Sequence, residues 1–134
     1  MSMAKILIVD DDFETIKLLE SMLLSHGHEP FSVSESRNAI KAVETIMPDV
    51  ILLDIMMAEI NGIAICKLIK SAPELRHIPV VMVSALSDEG TKKDSFHAGA
   101  NEFITKPIYP ADFMQRINSL LSESQADGPE RALR

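Results

Sequence analysis

Five short apolar runs alternate along this chain with amphipathic segments of helical length. The strand-like runs occupy residues 6–9, 50–53, 80–83 and 102–104, with a weaker one around residues 30–33. Short apolar runs bounded by turn residues are typical of buried strands. Strands that alternate with helices favour a parallel sheet covered on both faces, with right-handed crossovers between the strands. The pattern therefore predicts an α/β, doubly wound fold with three layers.

The segments between the runs carry apolar residues at three- and four-residue spacing, which predicts amphipathic helices. We interpret Ser36 as the N-cap of the second helix and Pro110 as the first residue of the last. The segment 88–98 is mostly polar, with Phe96 as its large apolar residue. It predicts a weakly packed helix that can move, although an ordinary surface helix would have the same composition. The predicted apolar faces are Ile16, Leu19 and Leu23; Ile40, Val43 and Met47; Ile65, Leu68 and Ile69; and Phe113, Ile117, Leu120 and Leu121.

Length and composition narrow the class of protein. The chain has 134 residues and a formal net charge of −7, without a basic stripe, so we expect one domain that does not bind nucleic acid directly. Cys66 is the single cysteine, which excludes an internal disulfide and fits a reducing cytosol. Neither a signal peptide nor a membrane-spanning apolar run is recognisable, so we expect a cytoplasmic location and no membrane contact. We predict a domain over residues 1–122, followed by a polar tail or the start of a linker over residues 123–134.

Three consecutive aspartates, Asp10, Asp11 and Asp12, directly follow the first apolar run. Carboxylates this close raise one another's pKa, and a bound divalent cation relieves the repulsion. Mg²⁺ prefers one or two carboxylates together with water and phosphate oxygens. The triplet therefore predicts a Mg²⁺ site, although an Asp-rich surface turn remains an alternative. Asp12 is interpreted as opening the first helix rather than binding metal.

The other predicted strands also end in polar residues. Asp54 follows the third run, Ser84 the fourth and Lys106 the fifth. In the flavodoxin-like strand order 2-1-3-4-5, these ends meet the aspartates of the first strand at one edge of the sheet. A carboxylate held beside Mg²⁺ can attack a phosphoryl group, while a lysine and a hydroxyl stabilise the phosphoryl oxygens. The set therefore predicts phosphoryl-transfer chemistry centred on Asp54.

Four segments resemble the receiver domain of two-component response regulators, the CheY-like family. They are ILIVDDD (6–12), PDVILLDIMM (48–57) with Asn61 and Gly62, IPVVMVSA (78–85) and GANEFITKPI (99–108). The resemblance implies that the domain takes a phosphoryl group from a sensor histidine kinase or histidine phosphotransfer protein and controls a downstream effector domain or protein. It further implies these roles: Asp54 as phospho-acceptor; Asp10, Asp11, Asp54 and the Met56 backbone carbonyl as Mg²⁺ ligands; Ser84 and Phe103 as switch residues; Lys106 as the invariant lysine; and Pro107 after a cis peptide bond.

The resemblance also suggests a surface for self-association. In one large branch of the family, the face formed by the fourth helix, fifth strand and fifth helix pairs symmetrically through ion pairs. Lys92, Glu102, Asp112 and Arg116 fall at similar positions. We therefore expect a phosphorylation-dependent homodimer with Lys92 paired to Asp112 and Glu102 paired to Arg116, unless these are solvated surface charges.

Two positions depart from the family pattern. Ala58 stands where the loop after the phospho-acceptor usually carries a proline, so we expect a looser loop. Phe103 stands where many relatives have tyrosine.

Two other classes of protein remain as alternatives. The main alternative function is a Mg²⁺-dependent phosphohydrolase with an aspartyl-phosphate intermediate. Such hydrolases carry the motif Asp-x-Asp-x-Thr/Val after the first strand, and this chain does not match it, because Glu14 occupies the fifth position. A flavodoxin would need a Ser/Thr/Gly-rich phosphate loop where this chain has three aspartates.

Overall fold

A computed structural model describes the backbone of residues 3–132 and the side chains of residues 3–123. Strands and helices alternate, as the apolar pattern predicts. A single 3-10 turn, Ser36–Asn38, precedes the second helix. The elements are β1 (Lys5–Val9), α1 (Phe13–Ser25), β2 (Glu29–Val33), α2 (Ala39–Ile46), β3 (Val50–Leu53), α3 (Gly62–Ser71), β4 (Val80–Ser84), α4 (Glu89–His97), β5 (Glu102–Thr105) and α5 (Pro110–Ala132).

The five strands form one parallel sheet in the order β2-β1-β3-β4-β5. This confirms the predicted doubly wound fold and its strand order. Successive side chains of a strand point to opposite faces of the sheet. In β1, Ile6 and Ile8 pack with α1 and α5, whereas Leu7 and Val9 pack with α2 and α3. The sheet thus separates two apolar layers, and its inner strands are buried on both faces.

Side-chain caps mark the first turns of α1 and α3. Asp12 accepts a hydrogen bond from the Thr15 N–H at 3.2 Å, which confirms its interpretation as the residue that opens α1. Asn61 caps α3 in the same way through the Ala64 N–H at 3.0 Å. Such caps satisfy backbone donors that have no partner inside the helix. Asp12 is therefore occupied by a structural role immediately beside the aspartates of the predicted site.

The helix α4 is weakly packed, as its composition predicts. Of its nine residues, Ser95 alone is buried. Phe96, its large apolar residue, is 47% exposed. Few buried apolar contacts hold this helix against the sheet, and such an element shifts or opens at low cost.

Three predictions about helices were wrong. Ser36 does not cap α2, because the 3-10 turn intervenes and its hydroxyl bonds instead to the loop after β3. Met47 lies beyond the end of α2 and is exposed. Leu68 is exposed on α3. In both helices the residues that pack on the sheet form a narrower stripe than the apolar spacing suggests.

The last helix does not end where the apolar pattern ends. Its backbone stays helical through residue 122 to Ala132. The predicted division between a domain over 1–122 and a tail over 123–134 is therefore not marked by a change in secondary structure, and it stays a prediction. The tail lies almost wholly outside the residues whose side chains are described. None of the helices in the described part of the chain has the length and apolar content to cross a membrane.

Candidate functional site

The register of the sheet brings the ends of β1 and β3 together. Val9 is the partner of Leu53, so the next residues, Asp10 and Asp54, leave the sheet side by side. The Asp54 N–H donates to the Val9 carbonyl at 2.9 Å, and the Asp10 N–H donates to the Val33 carbonyl at 3.1 Å. Both aspartates are thus fixed by backbone hydrogen bonds to neighbouring strands. Their side chains emerge from a rigid sheet rather than from a mobile loop.

Three of the predicted site carboxylates converge. Asp10, Asp11 and Asp54 each place one carboxylate oxygen within 4.8 Å of the others. Asp10 and Asp54 are buried, at 2% and 6% exposure, whereas Asp11 is exposed. Oxygen ligands at this spacing, with one side open to solvent, fit a hard divalent cation that retains water ligands, and Mg²⁺ is such a cation.

Lys106 lies between the two buried carboxylates. Its Nζ is 3.1 Å from Asp10 Oδ2 and 3.8 Å from Asp54 Oδ2. The sequence assigned this lysine to phosphoryl oxygens and gave no sign of its direct ion pair with Asp10. The Lys106 N–H donates to the Ser84 carbonyl at 2.8 Å, and the peptide bond between Lys106 and Pro107 is cis. The hydrogen bond to Ser84 anchors the backbone of Lys106, while its ammonium group faces the acidic cluster.

The environment of Asp54 raises its pKa to about 6. Burial is the largest cause, because it penalises the charged carboxylate, and repulsion from Asp10 adds to it. The positive charge of Lys106 lowers the pKa and offsets part of these effects. The Asp54 carboxylate is thus held in a place where, even beside Lys106, its negative charge is costly unless a metal cation shares the site.

The remaining predicted residues differ in their burial and in the element that carries them. Ser84 is buried at the end of β4, where its Oγ accepts a hydrogen bond from the Leu86 N–H at 3.2 Å. Met56 lies two residues after Asp54 and is exposed. Phe103 is buried in β5, with its ring 6.0 Å from Lys92 Nζ. Ser84 therefore ends at the same sheet edge as Asp54, whereas Phe103 lies near α4.

The four residues predicted to form an interface lie around one cavity of about 370 Å³ between α4, β5 and α5. Arg116 binds residues of its own chain there. Its Nε is 3.2 Å from Asp112 Oδ2, and its Nη1 is 3.4 Å from Glu102 Oε1. The same Nη1 donates to the Phe103 carbonyl at 3.0 Å. The predicted partners Glu102 and Arg116 are thus already paired within the chain.

The loop between β3 and α3 has an anchor that the sequence analysis missed. Ser36 is buried, and its Oγ donates to the Ala58 carbonyl at 2.6 Å and accepts from the Ile60 N–H at 3.1 Å. The loop lies 22 residues beyond Ser36 in the sequence, so helical or strand spacing gives no signal of the contact. The sequence indicated only that the loop lacks a proline at Ala58.

Comparisons with known proteins all indicate similarity to response regulators. The family model for the response regulator receiver domain matches residues 6–118. Response regulator PleD of Caulobacter vibrioides is 37% identical over 87% of this chain, which spans 26% of PleD. Polar-differentiation response regulator DivK of Brucella anthropi is 31% identical over 89% of this chain and 97% of its own length.

Solved structures agree with the sequence comparisons. The signal receiver domain of a signal transduction histidine kinase from Syntrophus aciditrophicus has a TM-score of 0.83 and 34% identity, over 90% of this chain and 91% of that domain. The chain thus spans 97% of the length of DivK but 26% of the length of PleD.

Proposed function

This chain belongs to the response regulator receiver family, and from that premise we propose that it accepts a phosphoryl group on Asp54 in a Mg²⁺-dependent reaction. It is a receiver domain of two-component signalling. The observation that carries the proposal is the position of Asp54. Its buried carboxylate lies beside two further carboxylates and beside the ammonium group of Lys106.

In the proposed reaction, a carboxylate oxygen of Asp54 attacks the phosphorus atom of the donor. The bond between phosphorus and the donor atom breaks, and the leaving group keeps the electron pair. Asp10, Asp11, Asp54 and the Met56 carbonyl would hold Mg²⁺, which when bound neutralises negative charge on the site and on the phosphoryl oxygens. Lys106 is placed to contact a phosphoryl oxygen on Asp54, because its Nζ already lies 3.8 Å from that carboxylate.

The new phosphoryl group would alter the balance of charge around Lys106 and Ser84. The Lys106 N–H is bonded to the Ser84 carbonyl, so a movement of either residue reaches both β4 and β5. We propose that Ser84 and Phe103 transmit this change to the face of α4, β5 and α5. A sensor histidine kinase or a histidine phosphotransfer protein would supply the phosphoryl group, and an effector domain or protein would read the face. The cytoplasmic location expected from the sequence is part of this proposal.

Membership of the receiver family favours signalling over the phosphohydrolase and flavodoxin alternatives. The acidic cluster argues in the same direction. Three carboxylates within 4.8 Å would repel the phosphate group of a flavin nucleotide unless a cation intervened. A phosphohydrolase would release phosphate repeatedly, whereas the proposed receiver keeps it on Asp54 as a signal.

Intact-mass spectrometry after incubation with acetyl phosphate tests this proposal. We expect one added phosphoryl group in the presence of Mg²⁺ and none when a chelator removes the metal. Asp54→Asn should remain unmodified, whereas Asp49→Asn, a change outside the site, should be modified like the unaltered protein. Equal modification of Asp54→Asn would contradict the assignment.

A further inference from the structure

The loop that follows Asp54 is closed tightly at its base. The Gly62 N–H donates to the Ile55 carbonyl at 2.8 Å, which joins the two ends of the loop. A β-carbon at Gly62 would lie only 2.1 Å from the Asp54 carbonyl oxygen. Glycine is therefore required for this close approach, which holds the first turn of α3 directly against the backbone of Asp54.

The tip of the same loop has an unusual backbone. Glu59 has a φ of 74°, in the left-handed region that residues other than glycine rarely adopt. On either side of it, the Ile60 N–H donates to the Ala58 carbonyl at 3.0 Å, which folds the tip into a tight turn. Such a conformation persists only where its surroundings hold it.

Ser36 provides the contact that holds this tip from outside. Its single hydroxyl donates to the Ala58 carbonyl at 2.6 Å and accepts from the Ile60 N–H at 3.1 Å, so it bridges the residues on both sides of Glu59. The side chain is buried, which excludes water from competing for these hydrogen bonds. The hydroxyl group supplies both the donor and the acceptor that the tip needs.

We propose that Ser36 is a positioning residue for the Mg²⁺ site, because it fixes the loop whose Met56 carbonyl is assigned to the metal. This inference rests on the proposed function. Met56 lies between the Asp54 end of the loop and the tip, with Ala58 two residues away. A loop that is fixed at its base by Gly62 and at its tip by Ser36 has little freedom at the carbonyl between them.

The two hydrogen bonds of Ser36, called the tether from here on, also replace the restriction that a proline would give this loop. Proline at position 58 would restrict the backbone by fixing its φ angle, and Ala58 does not. In this chain the restriction comes from a side chain in the turn before α2, through the Ala58 carbonyl itself. A packing role alone would require Ser36 to fill space; the tether role requires its hydroxyl.

Three proteins test the inference: the unaltered chain, Ser36→Ala and the matched control Ser34→Ala, which alters an exposed serine two residues earlier. Mg²⁺ dissociation constants are measured by calorimetry, and amide hydrogen exchange by NMR, under conditions where every protein is folded. In Ser36→Ala, which lacks the hydroxyl, we expect the Mg²⁺ dissociation constant to rise roughly threefold to tenfold, the size of effect that one hydrogen bond gives. Exchange at Ile60 should accelerate about tenfold, while Ser34→Ala should match the unaltered chain.

The results distinguish a positioning role of Ser36 from a purely structural role, and both from failure of the proposed Mg²⁺ site. Unchanged Mg²⁺ affinity in Ser36→Ala, with only a loss of stability, would overturn the positioning role. If Ser36→Ala does not fold, Ser36→Cys preserves the volume with a much weaker hydrogen-bonding group and should show the same weakening. Absence of Mg²⁺ binding by the unaltered chain would instead contradict the proposed function itself.

Discussion

Asp54 has a fixed position and a buried carboxylate, and the negative charge of that carboxylate is costly in the absence of a metal cation. Its backbone is fixed by β1, and its carboxylate is buried next to Asp10. Burial and repulsion raise its pKa to about 6 from the ordinary value of 3.8. Between these two pH values the native state binds more protons than the unfolded state, so the free energy of unfolding falls as pH rises. The charged carboxylate thus destabilises the metal-free fold at neutral pH.

This environment predicts a pH-dependent difference between the native protein and Asp54→Asn. In metal-free buffer, the unaltered chain should lose on the order of 2–3 kcal/mol more stability than the variant between pH 4 and pH 7, because a pKa unit corresponds to about 1.4 kcal/mol. Urea unfolding of both proteins at several pH values measures this difference in the free energy of unfolding. Mg²⁺ should remove most of the difference at pH 7. Parallel pH profiles for the two proteins would contradict this account of the site.

Lys106 connects the acidic cluster to the sheet edge through its side chain and its backbone. We expect Lys106→Ala to accept phosphate to some degree but to lose the structural response, since no ammonium group remains to follow the new negative charge. Amide exchange over residues 84–106, measured with and without phosphorylation, checks this. A response of the unaltered size in the phosphorylated variant would remove Lys106 from the proposed transmission.

Among the helices α1 to α4, α4 buries the fewest residues. Its caps are satisfied, since Asp88 accepts from the Thr91 N–H at 3.0 Å, but Ser95 is the one residue of the helix that is buried. Local hydrogen bonds therefore hold the helix together while little apolar surface holds it in place. Movement of the intact helix should cost less than its unfolding.

We accordingly predict that α4 exchanges its amide hydrogens faster than α1, which buries four apolar residues. Beryllofluoride with Mg²⁺, used as a stable substitute for the phosphoryl group, should change exchange in α4 and β5 more than in α1. The two helices within one sample provide the control. Changes confined to the loops around Asp54 would contradict the proposed output face.

Sequence reasoning succeeded where a residue's position along an element determines its place in space. The strand-end residues Asp10, Asp54 and Lys106 converge because parallel strands end at one edge. It failed where a contact depends on two loops that are distant in sequence, as for Ser36 and Ala58. It also overestimated helix faces at Met47 and Leu68, because apolar spacing does not reveal where the covering layer stops.

At the scale of the whole molecule, we propose that the homodimer suggested by the family resemblance forms on phosphorylation, and this requires Arg116 to exchange its partners within the chain for partners in a second copy. Arg116 is bonded to Asp112 and Glu102 of its own chain, and these side chains are all between about a third and a half exposed. Exposed pairs of this kind contribute about 0–1 kcal/mol each. Breaking these ion pairs therefore costs little free energy. A dimer needs only a small favourable free energy from the surface that the two copies bury together.

Sedimentation with and without beryllofluoride and Mg²⁺ should show a monomer that dimerises on activation. Arg116→Glu should prevent dimerisation, because it repels Glu102 of a second copy as well as its own Asp112. Arg76→Glu, which alters an exposed arginine before β4, serves as the matched charge control. A monomer under both conditions would contradict the proposed homodimer, and a dimer that tolerates Arg116→Glu would contradict its pairing through Arg116.

In the proposed function, this molecule carries its signal as an acyl phosphate on Asp54. Borohydride reduces an aspartyl phosphate to homoserine, so peptide mass spectrometry after phosphorylation and reduction identifies the modified position directly. Homoserine should appear at position 54 alone, and only when Mg²⁺ was present during phosphorylation. Homoserine at position 10 or 11, or its absence from position 54 in a phosphorylated sample, would contradict the account.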